Sequence, residues 1–198
     1  MSSAAACPPL AAPLTDVTTE RLFLRRFLPG DAELLAPAFA KTEFWQFPYG
    51  RGFTFEETER FVVALVAEWD TYGLGNWVAI DRESGRAIGY VGIAVPHFLP
   101  EFLPAVEVGW RFDPDVWGKG FALEGASAAL DQAFGPLGLD QVCSAPQLDN
   151  PRSAKVCERL GMEFGQLAIA AGNDKRGPVE VGLYWISRDQ WLERQAKP

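Results

Sequence analysis

Cysteine and histidine are scarce, which limits the chemistry available to this sequence. Its 198 residues include three cysteines (Cys7, Cys143 and Cys157) and one histidine, His97. An odd number of widely spaced cysteines does not make a disulfide framework, and one histidine adds no zinc-ligand spacing. We therefore expect a protein of a reducing compartment, the cytoplasm, that holds no metal.

An excess of positive charge and a long apolar segment are also lacking. Asp and Glu number 26 against 18 Lys and Arg, a formal net charge of −8. A nucleic-acid binder needs a basic surface to neutralise phosphates, so this class is disfavoured. No apolar run approaches the roughly 20 residues that span a bilayer. We therefore expect neither nucleic acid nor a membrane as a partner.

The first 17 residues are rich in Ala and Pro and contain no Lys or Arg. This composition does not fit a signal peptide, which begins with a basic region. We predict a disordered tail over residues 1–17 and one folded domain over residues 18–198. Hydrophobic residues make up 48% of the sequence and charged residues 22%, a balance that supports a sizeable core.

Hydrophobic periodicity predicts a domain that mixes strands and helices. Apolar alternation or short apolar runs predict strands over 19–27, 77–80, 87–95, 105–112, 141–145, 163–170 and 179–186. Helical spacing predicts helices that follow N-caps at Asp31, Thr54 and Asn150, a further helix from Phe121, and a short terminal helix. This order predicts a single α/β (α+β) domain, with a mixed sheet and helices on both faces.

A glycine-rich turn between a strand and a helix has the most informative local pattern. Gly118 and Gly120 remove side-chain bulk where backbone must approach a ligand, and the helix that follows begins with unpaired amides. The positive end of that helix dipole stabilises an anion such as a pyrophosphate. The pattern alone also fits an ordinary turn between a strand and a helix, which is the commoner case.

Residues 116–124, Val-Trp-Gly-Lys-Gly-Phe-Ala-Leu-Glu, resemble the acetyl-CoA loop of the GNAT superfamily of N-acetyltransferases. The likeness is closest to the RimJ/RimL-like branch of ribosomal-protein N-acetyltransferases. Residues 19–25, 150–162 and 180–184 resemble other segments of that branch in the same order. The resemblance covers residues 19–192. It implies the GNAT fold, a mostly antiparallel sheet in which two strands splay apart and admit the pantetheine arm of acetyl-CoA.

The resemblance also implies a set of cofactor-binding residues. The strand that ends at Phe112 would pair with the pantetheine amides, backbone amides of residues 118–123 would hold the pyrophosphate, and Asn150 would bond to the pantetheine. The implied set is Phe112, Trp117, Gly118, Lys119, Gly120, Phe121, Ala122, Leu123, Asn150 and Ser153. The sequence departs from the superfamily pattern at Trp117, where Gln or Arg is common, and at Met162, where Phe is usual.

Acyl transfer to an amine needs a base, because an ammonium group has no lone pair with which to attack the thioester. Glu107 is the candidate, since it matches the position of a glutamate base in several superfamily members, and Gly109 on the same strand face leaves room for an acceptor. Glu107 could instead face solvent or pair with Arg111. His97 is an alternative base whose ordinary pKa is near neutrality.

Other positions are candidates for helping the leaving thiolate or the acceptor. Ser153 could donate to the sulfur, whereas Cys157 occupies the place of a tyrosine in many superfamily members and fits a small buried residue. An aromatic segment in the region that lines the acceptor mouth in this family could hold a cationic amine or fold onto the core. Its rings are Phe44, Trp45, Phe47 and Tyr49.

The resemblance therefore implies an acetyl-CoA-dependent N-acetyltransferase that works by direct transfer to a primary amine, either a protein N-terminus or a small molecule. One alternative is a non-catalytic acyl-CoA-binding protein. Another is a nucleotide-binding protein, although no Gly-Lys-Ser/Thr run of the Walker type is present. The assembly can be a monomer or a homodimer, and the amine acceptor is left open.

Overall fold

A single open sheet of eight strands carries the fold in the computed structural model, which describes residues 14–172 and 176–196. The strands are β1 (Val17–Thr18), β2 (Leu22–Arg26), β3 (Asn76–Asp81), β4 (Ala87–Ala94), β5 (Glu107–Phe112), β6 (Gln141–Ser144), β7 (Glu163–Ala170) and β8 (Val179–Ser187). Their order in the sheet is β1-β2-β3-β4-β5-β6-β8-β7. Neighbouring strands are antiparallel except β5 and β6, which are parallel. The predicted mixed, mostly antiparallel sheet is confirmed.

Helices cover both faces of this sheet, as predicted. They are α1 (Asp31–Phe39), α2 (Phe55–Tyr72), α3 (Phe121–Phe134), α4 (Pro151–Leu160) and α5 (Arg188–Gln195). In β3, Val78 packs in a core cluster with α1 and α2, whereas Trp77 and Ala79 pack in a second cluster with α3. Because successive strand residues point to opposite faces, these two clusters lie on opposite sides of the sheet. Across the described residues, no helix has both the length and the apolar character required to cross a membrane.

The packed part of the chain begins earlier than predicted. Residues 1–13 of the predicted disordered tail lie outside the described residues. Its last four residues, however, are packed: Leu14 is buried, the Thr15 carbonyl accepts a hydrogen bond from the Trp77 indole at 3.1 Å, and Val17 pairs with Leu24. The apolar side chains of Leu14 and Val17 add to the core, and this corrects the predicted boundary at residue 18.

The start of α1 also differs from the prediction. Gly30 occupies the N-cap position without a side-chain cap, and Asp31 is the first helical residue. The Asp31 carboxylate instead accepts from the Arg25 guanidinium at 2.6 and 2.8 Å and from the Leu28 amide at 2.7 Å. The aspartate therefore ties the helix to β2, a tertiary role that local sequence does not reveal.

Helix α2 begins with the predicted capping box. The Thr54 hydroxyl accepts from the Glu57 amide at 3.2 Å, and the Glu57 carboxylate accepts from the Thr54 amide at 3.0 Å. The helix ends at Gly73, whose φ of 69° is left-handed and suits glycine. Both ends of this 18-residue helix are therefore fixed by its own sequence.

We expect Thr54→Ala to lower the free energy of unfolding by about 1 kcal/mol, because the N-cap acceptor is lost. Chemical denaturation followed by circular dichroism measures the change. Thr71→Ala is a control in the same helix, since Thr71 is exposed and bonds only to the Ala67 carbonyl of the previous turn. Ala favours the helix interior, so the control should be neutral or slightly stabilising. Equal losses in the two variants would contradict the capping role.

Candidate active site

Strands β5 and β6 touch at one end and then part, which opens a cleft in the middle of the sheet. Their ladder consists of a single pair, Glu107 with Cys143, and the Cys143 amide donates to the Val106 carbonyl at 2.9 Å. By contrast, β5 pairs with β4 at six positions. Unpaired amides and carbonyls along parted strands can bind an extended polar chain. The cleft therefore has the splayed form that the sequence predicted.

A tight loop follows β5 on one side of the cleft. Gly118 and Gly120 have φ values of 77° and 87°, which side chains rarely adopt. The first backbone hydrogen bond of α3 joins the Glu124 amide to the Gly120 carbonyl at 3.1 Å, and no side chain caps the helix. The amides that precede Glu124 therefore lack intrahelical acceptors, and with the helix dipole they favour an anion.

This loop is fastened to the start of β2. The Glu124 carboxylate accepts from the Arg21 side chain at 2.7 Å, from the Arg21 amide at 2.8 Å and from the Thr19 hydroxyl at 2.5 Å. Arg21 also donates to the Lys119 carbonyl at 2.8 Å, and its guanidinium lies 4.7 Å from the centre of the Phe121 ring. Residues 19–25 and 116–124, which both resemble segments of the family, are thus in direct contact.

The hydrogen bonds to Glu124 outweigh its burial. Burial raises the pKa of this carboxyl, but the Thr19 hydroxyl, the Arg21 amide and the Arg21 guanidinium lower it further, so the net pKa lies below its ordinary value. Glu124 is therefore ionised at neutral pH. Sequence reasoning missed the role of this residue because its partners are about a hundred positions away.

A second ion pair supports the loop from α1. Lys41, just after α1, lies 2.6 Å from the buried Asp113 carboxylate and 2.7 Å from Asp115. Asp113 also accepts from the Asp115 amide at 3.1 Å. Asp113 directly follows β5, so these contacts fix how the chain leaves the strand.

Glu107 lies half-buried at the point where the cleft closes. Desolvation raises the pKa of this carboxyl from 4.5 to about 7; the Ala145 amide lowers it and the charge of Glu68 raises it. A Cβ placed on Gly109 would meet nothing nearer than the Glu107 carboxylate at 4.0 Å, so the strand face beside Glu107 is open. A carboxylate with a pKa near neutrality beside open space can accept a proton from a ligand.

Arg111 is occupied elsewhere, which removes the proposed pairing with Glu107. Its Nε donates to the Tyr90 hydroxyl at 3.2 Å, and its Nη1 donates to the Phe44 carbonyl at 2.7 Å. Its guanidinium also stacks 4.7 Å from the centre of the Trp45 ring. The arginine therefore joins the strand to the aromatic segment.

Sequence reasoning missed a second carboxylate, Glu68 of α2. Desolvation raises the pKa of Glu68 from 4.5 to about 7, and its charge repels that of Glu107. Among the described residues it has no ion-pair partner. The sequence does contain a sign that Glu68 is buried, because helical spacing puts its charge on a face that is otherwise apolar. The other residues of that face are Phe61, Leu65 and Tyr72. The alternative base, His97, is exposed, with its ring 5.6 Å from that of Tyr72.

The other wall of the cleft leads into α4, capped as predicted. The Asn150 side chain accepts from the Ser153 amide at 3.2 Å. Ser153 is half-buried in the first turn, and its hydroxyl makes no hydrogen bond to any residue described. Cys157 is buried, and desolvation raises its pKa to about 12, although a hydrogen bond from Ser144 lowers it. This thiol is neutral at physiological pH, in keeping with a packing role.

The aromatic segment divides into core and surface residues. Phe44 and Trp45 are both 1% exposed, and Trp45 stacks on Phe53 with ring centres 3.9 Å apart. Trp45 therefore packs in the core against Phe39, which favours the alternative that this segment folds onto the core; its role at the acceptor mouth stays a prediction. Phe47 and Tyr49 are half-buried, and their contact with the acceptor stays a prediction. Over residues 14–172 and 176–196, no three His, Cys, Asp or Glu side chains form a metal-binding group.

Comparison with known families identifies one match over most of the chain. The family described as "Acetyltransferase (GNAT) domain" matches residues 21–163. The protein YkkB of Bacillus subtilis is 33% identical over 95 residues, which are 48% of this chain and 54% of that protein, so the match spans about half the length of YkkB. The N-acetyltransferase YoaA of Bacillus subtilis is 26% identical over 170 residues, or 85% of this chain and 94% of that protein.

A solved structure has the same fold. The ribosomal-protein-S5-alanine acetyltransferase of Vibrio fischeri superimposes with a TM-score of 0.70 at 20% sequence identity. The superposition covers 93% of this chain and all of the other. At this identity the likeness establishes the fold.

We expect Glu68→Gln to raise the melting temperature at pH 8 and to change it little near pH 4. The pKa of Glu68 rises from 4.5 to about 7 on folding, so the native state binds more protons than the unfolded state in that interval. Stability therefore falls as pH rises through it. Differential scanning calorimetry across this range measures the effect.

Glu59→Gln is the matched control, since Glu59 is exposed on the same helix. It removes the same charge without the desolvation, so its melting temperature should follow the wild type at both pH values. A Glu68→Gln protein that gains nothing at pH 8 would show that the carboxylate is well solvated.

Proposed function

The chain belongs to the GNAT acetyltransferase family, and we propose that it transfers the acetyl group of acetyl-CoA to a primary amine, with Glu107 as the base. The acceptor is a protein N-terminus or a small-molecule amine. One observation carries the proposal: the half-buried Glu107 carboxylate lies where β5 and β6 part, beside the open face at Gly109. An acetyl group carried into the cleft would reach its closed end, and Glu107 lies there to act as the base.

The residues around the cleft fit coenzyme A. The parted edge of β5, which ends at Phe112, offers backbone groups to the pantetheine amides, and the free amides around Phe121 suit the pyrophosphate. Lys119 in the same loop adds positive charge. Asn150 uses its carbonyl as a helix cap, so its amide group is left to donate to the pantetheine. Bound acetyl-CoA would supply an activated acyl group as a thioester.

Glu107 would prepare the acceptor. An amine arrives at neutral pH as an ammonium, and its proton must leave before nitrogen can attack the thioester carbonyl. A carboxylate with a pKa of about 7 accepts that proton far better than an ordinary glutamate and is still largely ionised just above neutrality. The C–N bond then forms and the C–S bond breaks. The nitrogen loses its second proton to the departing thiolate, so the products are the amide and the free thiol of coenzyme A. The Ser153 hydroxyl, which makes no hydrogen bond to the residues that the structure describes, is the proposed hydrogen-bond donor to that sulfur.

One observation weighs against a non-catalytic alternative, and two others concern the acceptor. A non-catalytic acyl-CoA-binding protein has no use for a desolvated base at the end of the cleft, and keeping one lowers stability. The buried aromatic pair Phe44 and Trp45 leaves Phe47 and Tyr49 as the proposed aromatic contacts for the acceptor. The net charge of −8 favours approach of a cationic amine.

We expect Glu107→Gln to lower kcat at pH 7 about 100-fold, the scale of a lost general base, and to leave the Kd for acetyl-CoA nearly unchanged. The wild-type rate should rise through pH 7 as the carboxyl ionises, and raising the pH to 9 should partly rescue the variant by supplying neutral amine. A thiol-release assay over a panel of amines and N-terminal peptides measures both.

Glu101→Gln is the matched control, because Glu101 is exposed on the turn before β5; its rate should equal that of the wild type. A Glu107→Gln pH–rate profile identical to the wild type would contradict the assigned base. Calorimetric titration with CoA, ATP and NAD tests the wider proposal, and tight ATP binding without CoA binding would overturn it.

The fastening of the cofactor loop gives a separate prediction. Glu124→Ala removes the acceptor of the Arg21 and Thr19 hydrogen bonds, so the loop should loosen and the Kd for acetyl-CoA should rise about tenfold, the scale of a lost charged hydrogen bond. At saturating acetyl-CoA, kcat should be largely retained. Glu33→Ala, at an exposed site on α1, controls for net charge. A change in kcat alone would contradict a role confined to the loop.

A further inference from the structure

We infer that Arg152 binds the pyrophosphate of coenzyme A from the wall of the cleft opposite the loop of residues 118–123, with the Trp117 ring holding the guanidinium in place. The inference rests on the proposed function, since it concerns the same cofactor cleft. It adds a residue from α4 to a phosphate site otherwise made of backbone amides at the start of α3.

Trp117 and Arg152 join the two walls of the cleft. Trp117 lies in the loop after β5, and Arg152 lies in the first turn of α4, which follows β6. The Arg152 guanidinium carbon is 4.9 Å from the centre of the Trp117 ring. The Trp117 indole is itself fixed, because its N–H donates to the Phe112 carbonyl at 2.8 Å. The pair therefore connects the two walls of the cleft.

The charge of Arg152 is available for a ligand. The neighbouring cations Arg21 and Lys41 are paired with Glu124 and Asp113. Arg152 is exposed, and within the part of the chain that the structure describes it makes no ion pair. An exposed arginine ordinarily gains little from stacking alone, so the cation–π contact sets its orientation more than its energy.

The contact with Trp117 leaves the N–H donors of Arg152 free, since none of them makes a hydrogen bond to a residue that the structure describes. A guanidinium that lies over an aromatic ring uses its flat face, while its N–H groups point outward in its own plane. Those N–H groups match two oxygens of a phosphate. Trp117 directly precedes the loop whose amides favour an anion, so the pyrophosphate is the part of coenzyme A within reach.

Calorimetric titration with CoA, dephospho-CoA and pantetheine tests the assignment. Dephospho-CoA keeps the pyrophosphate and lacks the 3′-phosphate, and pantetheine has no phosphate. We expect Arg152→Ala to raise the Kd for CoA and for dephospho-CoA by the same factor, about tenfold at low salt. The Kd for pantetheine should stay at the wild-type value.

Arg159→Ala is the matched control, since Arg159 is exposed two turns further along α4; it should bind all three ligands as the wild type does. Arg152→Lys, which keeps the charge without the flat fork, should fall between wild type and Arg152→Ala. Trp117→Ala should weaken CoA binding and reduce the further effect of Arg152→Ala, because the two residues act as a pair.

Each outcome decides the inference. Equal CoA affinity in wild type and Arg152→Ala would overturn it and leave the proposed function intact. A loss seen with CoA but not with dephospho-CoA would move Arg152 to the 3′-phosphate and overturn the pyrophosphate assignment. Loss of pantetheine binding in Arg152→Ala would also overturn it, because the effect of the substitution would then not be confined to the phosphates. A wild type that binds no CoA would overturn the proposed function and this inference together.

Discussion

The parting of β5 from β6 is the constraint on which the rest of the site depends. A parallel pair that continued past Glu107 and Cys143 would fill its own hydrogen bonds and leave no place for an extended ligand. The pairing does not continue, because β5 is followed by the glycine loop and β6 by the N-cap of α4. Unpaired backbone inside a sheet carries a cost in free energy, so a ligand with amides of its own is a natural complement.

Hydrogen bonds and ion pairs between distant residues fix the position of the loop that forms one wall of this cleft. Arg21 and Thr19 hold Glu124, and Lys41 holds Asp113, so the loop after β5 is pulled towards β2 and α1 instead of towards β6. Arg111 donates hydrogen bonds to the Tyr90 hydroxyl and the Phe44 carbonyl, so it does not form an ion pair with Glu107. The electrostatic environment of Glu107 therefore depends on the partners that Arg111 has elsewhere.

Local signals predicted much of the fold and part of the site. The capping box at Thr54, the cap at Asn150 and the glycine loop act within a few residues, so sequence reveals them. The burial of Trp45, the contact of Arg21 with Glu124 and the desolvation of Glu68 depend on packing between remote segments. Of these three features only the desolvation of Glu68 has a local signal, its place in a helical stripe that is otherwise apolar. The Asp31 prediction failed for a different reason: Arg25, six positions earlier, and the Leu28 amide both bind its carboxylate.

The clasp between residues 19–21 and Glu124 links cofactor binding to assembly of the whole sheet. Arg21 and Glu124 are separated by 103 positions, so Arg21 is synthesised well before its partner. The cofactor loop acquires its shape only when β2 and α3 have docked. By mass action, a ligand that binds only the finished loop stabilises the entire domain. Under the proposed function, coenzyme A would thus act on the amount of folded protein as well as on turnover.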